Sequence, residues 1–234
     1  MHSIPNEIQD RILDFLHDSK PALKACALVC KAWLPTSRYH LAPVIRLTPN
    51  RVDYIMKIFK NPNCTIRSCT ELFVRNWDIG RRVKITEALQ HLSTHLKPSS
   101  LILEIQGVTH EMQSALVQFQ SVERLVLTNM REFNRVLLLL FPNIHQLHIE
   151  ECELITPHTG NFQPLQLHSL EFTHCRMDPL LRYFIDGSIV PTGLLSIKLI
   201  LKDDASIVGE YFTMFGNVLQ EVRIGFYEPG YIGT

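Results

Sequence analysis

One spacing recurs along this chain and sets what it can fold into. "IHQLHIEEC" places Ile144, Leu147, Ile149 and Cys152 in the frame L-x-x-L-x-L-x-x-C, and "LHSLEFTHC" places Leu167, Leu170, Phe172 and Cys175 in the same frame. Val122, Leu125, Leu127 and Met130 repeat it, as do Leu194, Ile197 and Leu199, then Leu219, Val222 and Ile224. Leu72 with Val74, and Leu103 with Ile105, fit more loosely. Apolar residues two apart mark a short strand with one buried face, and helix-like stretches such as "REFNRVLLLLF" and "MDPLLRYFID" follow the strands. A unit of this kind cannot bury its apolar face alone, so successive units must stack.

The frames start at 122, 144, 167, 194 and 219. Their intervals fall in the range of about 20–29 residues typical of leucine-rich repeats, and four positions agree together with the period. The expected fold class is α/β: a solenoid of short parallel strands and helices over 69–234. "RVDYIMKIFK" (51–60) and "VKITEALQHLSTHL" (83–96) predict helices of the joining region and the first repeats. "DGSIVPTGL" (186–194) predicts a loop insertion that lengthens one interval, and "YEPGYIGT" closes the chain on turn residues.

Composition narrows the function. Of 234 residues 46% are hydrophobic, enough for a sizeable core, and Lys plus Arg equals Asp plus Glu at 23 each. No basic excess draws such a chain to nucleic acid or anionic lipid, and "RR" at 81–82 reads as a solvated turn. The strongest apolar run, Val136 to Phe141, is far short of the ~20 residues that span a bilayer. Pro5, Glu7 and Asp10 stand where a signal peptide needs a basic lead and an apolar stretch, so a cytoplasmic or nuclear protein is expected. The six cysteines are then expected to be reduced, with Cys64 and Cys69 the pair most open to challenge.

Ahead of the repeats, residues 4–41 predict three short helices. Ile4, Ile8 and Ile12 recur every fourth residue with Leu13 and Leu16 beside them, and Pro5 suits a first turn. A second helix starts near "DSKPAL" and runs through Cys30, and a third covers about Ala32 to Leu41, bent or restarted at Pro35. Ala22, Cys26, Val29, Cys30 and Trp33 form one stripe of the second helix and Ala25, Leu28 and Ala32 widen it. Some of that apolar surface must face the rest of the chain or another protein.

This head, "IPNEIQDRILDFLHDSKPALKACALVCKAWLPTSRYHLAP", resembles an F-box in the form common among fungal F-box-like proteins. The likeness lies in Ile4-Pro5 with Glu7-Ile8 behind it, Ile12-Leu13, Phe15-Leu16 and "LVCKAW", over about 43 residues. The resemblance implies an F-box module at 1–43, a helical joining region at 44–68 and the leucine-rich-repeat-like domain at 69–234. It implies docking on the Skp adaptor of a cullin-RING ubiquitin ligase, with the following domain selecting the protein to be ubiquitinated. Carried over by position, Ile4, Pro5, Ile8, Ile12, Leu13, Leu28, Val29, Cys30 and Trp33 become adaptor contacts or their support. Trp33 serves equally as core anchor or partner contact. In the repeats, the position that family often fills with asparagine holds Met130, Cys152 or Cys175, so a side-chain amide ladder is absent and packing must substitute.

Residues between the inward apolar ones should line one exposed face of the strands: Arg124, Val126 and Thr128, then Gln146, His148 and Glu150, then Ser169, Glu171 and Thr173, then Lys198, Glu221 and Arg223. The mixed charge of Arg124, Thr128, Gln146, His148, Glu150, Glu171, Thr173, Lys198 and Arg223 suits recognition of a target protein, although singly each reads as a solvated side chain. Cys26 and Cys30 lack the further ligands of a zinc site, and no P-loop, dinucleotide, zincin or nucleophile-elbow motif occurs. No cofactor, metal or catalytic residue is therefore expected. The alternative to a ligase receptor is a repeat scaffold whose head only caps the array; an enzyme is disfavoured.

Overall fold

The computed structural model describes residues 5–62, 64, 66, 69–130, 136–153, 165–175, 181, 193–201, 206–215 and 219–226. Three helices, α1 (Asn6–Phe15), α2 (Lys20–Cys26) and α3 (Leu34–Leu41), precede an eight-stranded parallel sheet. The strands are β1 (Val44–Leu47), β2 (Glu71–Asn76), β3 (Ser100–Ile105), β4 (Arg124–Thr128), β5 (Gln146–Glu150), β6 (Ser169–Thr173), β7 (Ser196–Leu201) and β8 (Glu221–Phe226). Their order in the sheet is their order in the chain. Helices α4 (Val52–Phe59), α5 (Arg82–Ser93), α6 (His110–Leu116), α7 (Val136–Leu139) and α8 (Ser206–Phe215) lie between strands in sequence. The fold is therefore mixed α/β, with the parallel sheet that the alternation of elements predicts.

From β4 onward the repeat frame is the observed register: Leu125 pairs with Leu147, Leu147 with Leu170, Leu170 with Ile197, and Ile197 with Val222. The looser frame at β3 shifts by two residues, because Leu101 and Leu103, rather than Leu103 and Ile105, stand opposite Leu125 and Leu127. A second departure is β1. Residues 44–68 were expected to be a helical joining region, yet Val44–Leu47 is the first strand of the sheet and Ile45 and Leu47 are buried in its core. The strand is four residues long, too short for alternation to stand out between Pro43 and Pro49.

One sheet face packs on the helices: Ile55 and Phe59 of α4, Leu89 of α5, Met112 of α6 and Leu138 of α7 join Leu72, Leu103, Leu127, Ile149 and Phe172 in a continuous core. Thr109 caps α6 by accepting the Met112 amide at 3.3 Å. The pattern fades at the end. Val222 and Ile224, inward in the frame, are 47% and 46% exposed, because among the described residues β8 is the last strand of the sheet, with a neighbour on one side only. The stretches 131–135, 154–164, 176–180 and 182–192, with the inserted loop expected at 186–194 apart from Gly193 and Leu194, and the closing turns at 227–234, lie outside the described residues.

Each middle strand ends in the same way. Asn129, Glu151 and His174 directly precede Met130, Cys152 and Cys175 and have φ of 52, 49 and 56°, the left-handed region that turns the chain off the strand. The Cys152 thiol then faces the Leu127 carbonyl of the preceding strand at 3.5 Å, and Cys175 faces that of Ile149 at 3.4 Å. Packing alone was expected at this position. Each thiol also has an acceptor on its own strand, the Glu150 carbonyl at 3.2 Å for Cys152 and that of Thr173 at 3.4 Å for Cys175, so its one weak hydrogen bond is shared between its own strand and the one before.

All six cysteines are free. Burial pushes the thiols of Cys69 and Cys152 up to about 12 and raises that of Cys175. An unfolded chain ionises its thiols near ~8.5, so above that pH the unfolded state holds fewer protons than the folded one and stability falls as pH rises. The expected loss is ~1.4 kcal/mol per pH unit for each buried thiol, within the window between ~8.5 and the raised values. Urea midpoints between pH 8 and 10.5 check this, and Cys152→Ala should flatten the slope; a pH-independent midpoint would contradict it.

Candidate functional site

The head has its own small interior. Leu13, Leu23 and Cys26 are buried there, outside the core of the sheet. Helix α3 touches both α1 and α2, and polar ties hold it in place: the Thr36 hydroxyl donates to Asp10 Oδ1 at 2.7 Å, and His40 Nε2 lies 2.8 Å from Asp14 Oδ1. The second helix is shorter than the sequence predicts. It stops at Cys26, where the chain tightens into i to i−3 bonds (Leu28 N–H to Ala25, Val29 N–H to Cys26). Leu28, Val29 and Cys30 therefore sit on a turn, not on a helical stripe with Trp33, which precedes α3 as its N-cap.

That turn is what exposes them. Leu28 is 87% exposed, and Val29 and Cys30 are also exposed. Pro5, Ile8 and Ile12 are exposed on α1 and at its N-cap, Trp33 is half-buried, and Ile4 lies outside the described residues. Leu13 is the exception. It is fully buried and can only support the surface from within, because at about 100° per residue it faces well away from the Ile8–Ile12 line. Sequence reasoning missed Phe15 as a surface residue, although Ile8, Ile12 and Phe15 follow the i, i+4, i+7 spacing of one helix face; Phe15 is 89% exposed.

On the sheet, the face opposite the helices carries the residues expected to meet a target. Arg124, Gln146 and Arg223 are exposed; Thr128, His148, Glu150, Glu171 and Lys198 are half-buried. Lys198 pairs with Glu171, and Arg223 with Glu221. Thr173, expected to be exposed, is buried at 7%, and its hydroxyl lies 3.3 Å from His148 Nε2. Val126, also expected on the exposed face, is buried as well. Burial lowers the pKa of His148, against the opposing pull of Glu171 and Glu150, which leaves the ring neutral at neutral pH.

The same face carries a cluster at its β1–β3 end that the sequence reading passed over. Arg46 and Arg75 both stack on the Phe73 ring, at 5.4 and 5.3 Å from its centroid, and Arg75 also stacks on Trp77 at 5.2 Å. Glu104, only 4% exposed, pairs with Arg75 and accepts from Asn129 Nδ2 at 3.4 Å. Phe73, Arg75 and Trp77 stand two residues apart, so period-2 alternation in "FVRNW" was the signal available. Beside Trp77 an open cavity of about 440 Å³ is lined by Thr48, Pro49, Asn50, Arg75 and Asp78.

Among the described residues, no group of three or more His, Cys, Asp or Glu side chains is placed to hold a metal ion. His145 and His168 stack with ring centroids 4.9 Å apart at the strand starts, with no further metal-ligating side chain grouped with them among the described residues. No helix among the described residues is long and apolar enough to cross a membrane. The chain matches no protein-family model, no curated protein and no solved structure. What the chain offers is a set of exposed apolar side chains on the head and a mixed polar face on the sheet.

Proposed function

We propose that the chain is the target-binding subunit of a Skp-cullin-F-box ubiquitin ligase. In this account residues 1–43 form an F-box-like module, and residues 69–234, extended by β1, form a leucine-rich-repeat-like solenoid. The observation that carries the proposal is the exposed apolar set Ile8, Ile12, Phe15, Leu28 and Val29 on a head that already has its own core. Burying one such side chain fully is worth about 1.5–3 kcal/mol, so a partner that covers the set gains a large non-polar contact. A head that served only as a cap would turn these residues towards the sheet.

The partner is a Skp-type adaptor, which joins the chain to a cullin-RING ligase. The sheet's open face then holds a target protein, so that attack of a target lysine on the ubiquitin thioester becomes effectively intramolecular. The chain performs no bond chemistry itself, uses no cofactor and works in the cytoplasm or nucleus. Reversing charge at Arg124, Glu150 and Glu171 together tests the division of labour. Immunoprecipitation from proteasome-inhibited cells should recover the adaptor equally with wild type and variant, and lose the co-captured target only with the variant. Equal target recovery would remove the sheet face from the account.

A further inference from the structure

We propose that the β1–β4 end of the open face binds an extended partner segment in which an aromatic or aliphatic side chain stands between two carboxylates. This assignment rests on the open face being the target-binding surface. Its floor is Phe73 and Ile102, both half-buried and paired in the sheet register, with Val126 continuing the row beneath the surface. Two adjacent accessible apolar side chains, with Trp77 exposed two positions beyond Arg75, form a place for one apolar group of a ligand.

Charge selects the flanks. Arg46 precedes Phe73 in the same row, and Arg124 stands two residues before Val126 on β4. Neither forms an ion pair among the described residues, whereas Arg75, Lys198 and Arg223 on this face each have a carboxylate partner. Arg75 is therefore a neutralised, planar spacer in the stack with Phe73 and Trp77. Arg46 also stacks on the Phe73 ring, with its guanidinium oriented by it and, among the described residues, no carboxylate paired to its charge. A pre-oriented guanidinium suits a carboxylate, which it can grip in bidentate fashion.

Spacing follows from the sheet. From β1 to β4 is three inter-strand steps of about 4.8 Å, and an extended peptide advances about 3.3 Å per residue, so the two carboxylates stand about four or five residues apart. One unpaired cation at each end matches one negative charge at each end. A phosphate, with nearly two charges, would find only a single unpaired guanidinium at either position.

The test is fluorescence polarisation of the full chain, without adaptor, against a labelled synthetic peptide with phenylalanine centred between two glutamates four residues apart. Saturable binding is expected, weakening with added salt. Arg46→Gln, glutamine in place of both peptide glutamates, or alanine in place of the peptide phenylalanine should each weaken it at least tenfold. Lys57→Gln, on an exposed helix position of α4, should leave it unchanged. Circular dichroism confirms that the exposed-residue variants are folded. Absence of binding at millimolar protein, equal affinity for the glutamine peptide, or tighter binding of a phosphoserine peptide would each overturn the proposal. Adaptor docking is read in a separate assay on the head, so failure there and failure here are told apart.

Discussion

Phe172→Ala is expected to lower the stability of the chain by about 3–5 kcal/mol, the cost of removing a fully buried phenylalanine that its surroundings cannot collapse to replace. Phe172 is fully buried on β6, between Ile149 of β5 and Leu199 of β7 in the register, in a column of otherwise aliphatic residues. Truncation would leave a void beneath three neighbouring strands, so it weakens the packing of β5 and β7 as well as of β6. If the strands stack as the proposed repeat solenoid, stability is close to the sum of unit and neighbour terms, and an interior interface is where one substitution does most damage. Urea unfolding followed by circular dichroism measures it. Val222→Ala is the matched control: its side chain, in the last strand, is half-exposed and its loss should cost well under half as much. A loss below ~1 kcal/mol at Phe172 would mean that the apolar column is not the continuous core described here.

Phe15→Asp together with Leu28→Asp should abolish adaptor binding while leaving the fold intact. Both side chains are almost fully exposed in the free chain, so neither substitution opens a cavity or buries a charge in the unbound state. In a complex the two residues would contribute about 3–6 kcal/mol by burial, and a desolvated carboxylate adds a further penalty. At 1.4 kcal/mol for each tenfold change, affinity should fall by more than a hundredfold. Titration calorimetry with purified adaptor gives the number, and an unchanged urea midpoint shows that the head is still folded. Leu13→Ala makes the opposite prediction: it damages the head's interior first and binding only as a consequence, because Leu13 is buried.

Much of the sheet was legible because two signals agreed. A period-2 alternation was itself repeated at a regular interval, so strands β4 to β8 and their register followed from one frame. Strand β1 escaped because four residues hold too little alternation, and the frame at β3 slipped because Leu101, Leu103 and Ile105 offer two equally apolar pairs. The thiol contacts of Cys152 and Cys175 depend on a left-handed residue just before each, which no propensity at Glu151 or His174 announces.

The candidate surfaces were legible in part and for a different reason. Composition said that the head was too apolar for its size, but exposure depends on where α2 stops, and that is set by the tightened turn after Cys26. Hence Leu28 and Val29 belong to the surface as expected, Leu13 does not, and Phe15 joins it. The stack at the start of the sheet draws Arg46 from β1 and Phe73, Arg75 and Trp77 from β2 and its end; only the register brings the first to the others.

The most direct test of the central claim is co-expression of the wild-type chain with a Skp-type adaptor, followed by size-exclusion chromatography with mass measured by light scattering. A single species with the mass of a one-to-one complex, replaced by two separate species when Phe15 and Leu28 carry aspartate, is the result expected. A folded wild-type chain that elutes apart from the adaptor would contradict the account and leave the parallel array as a scaffold without a ligase.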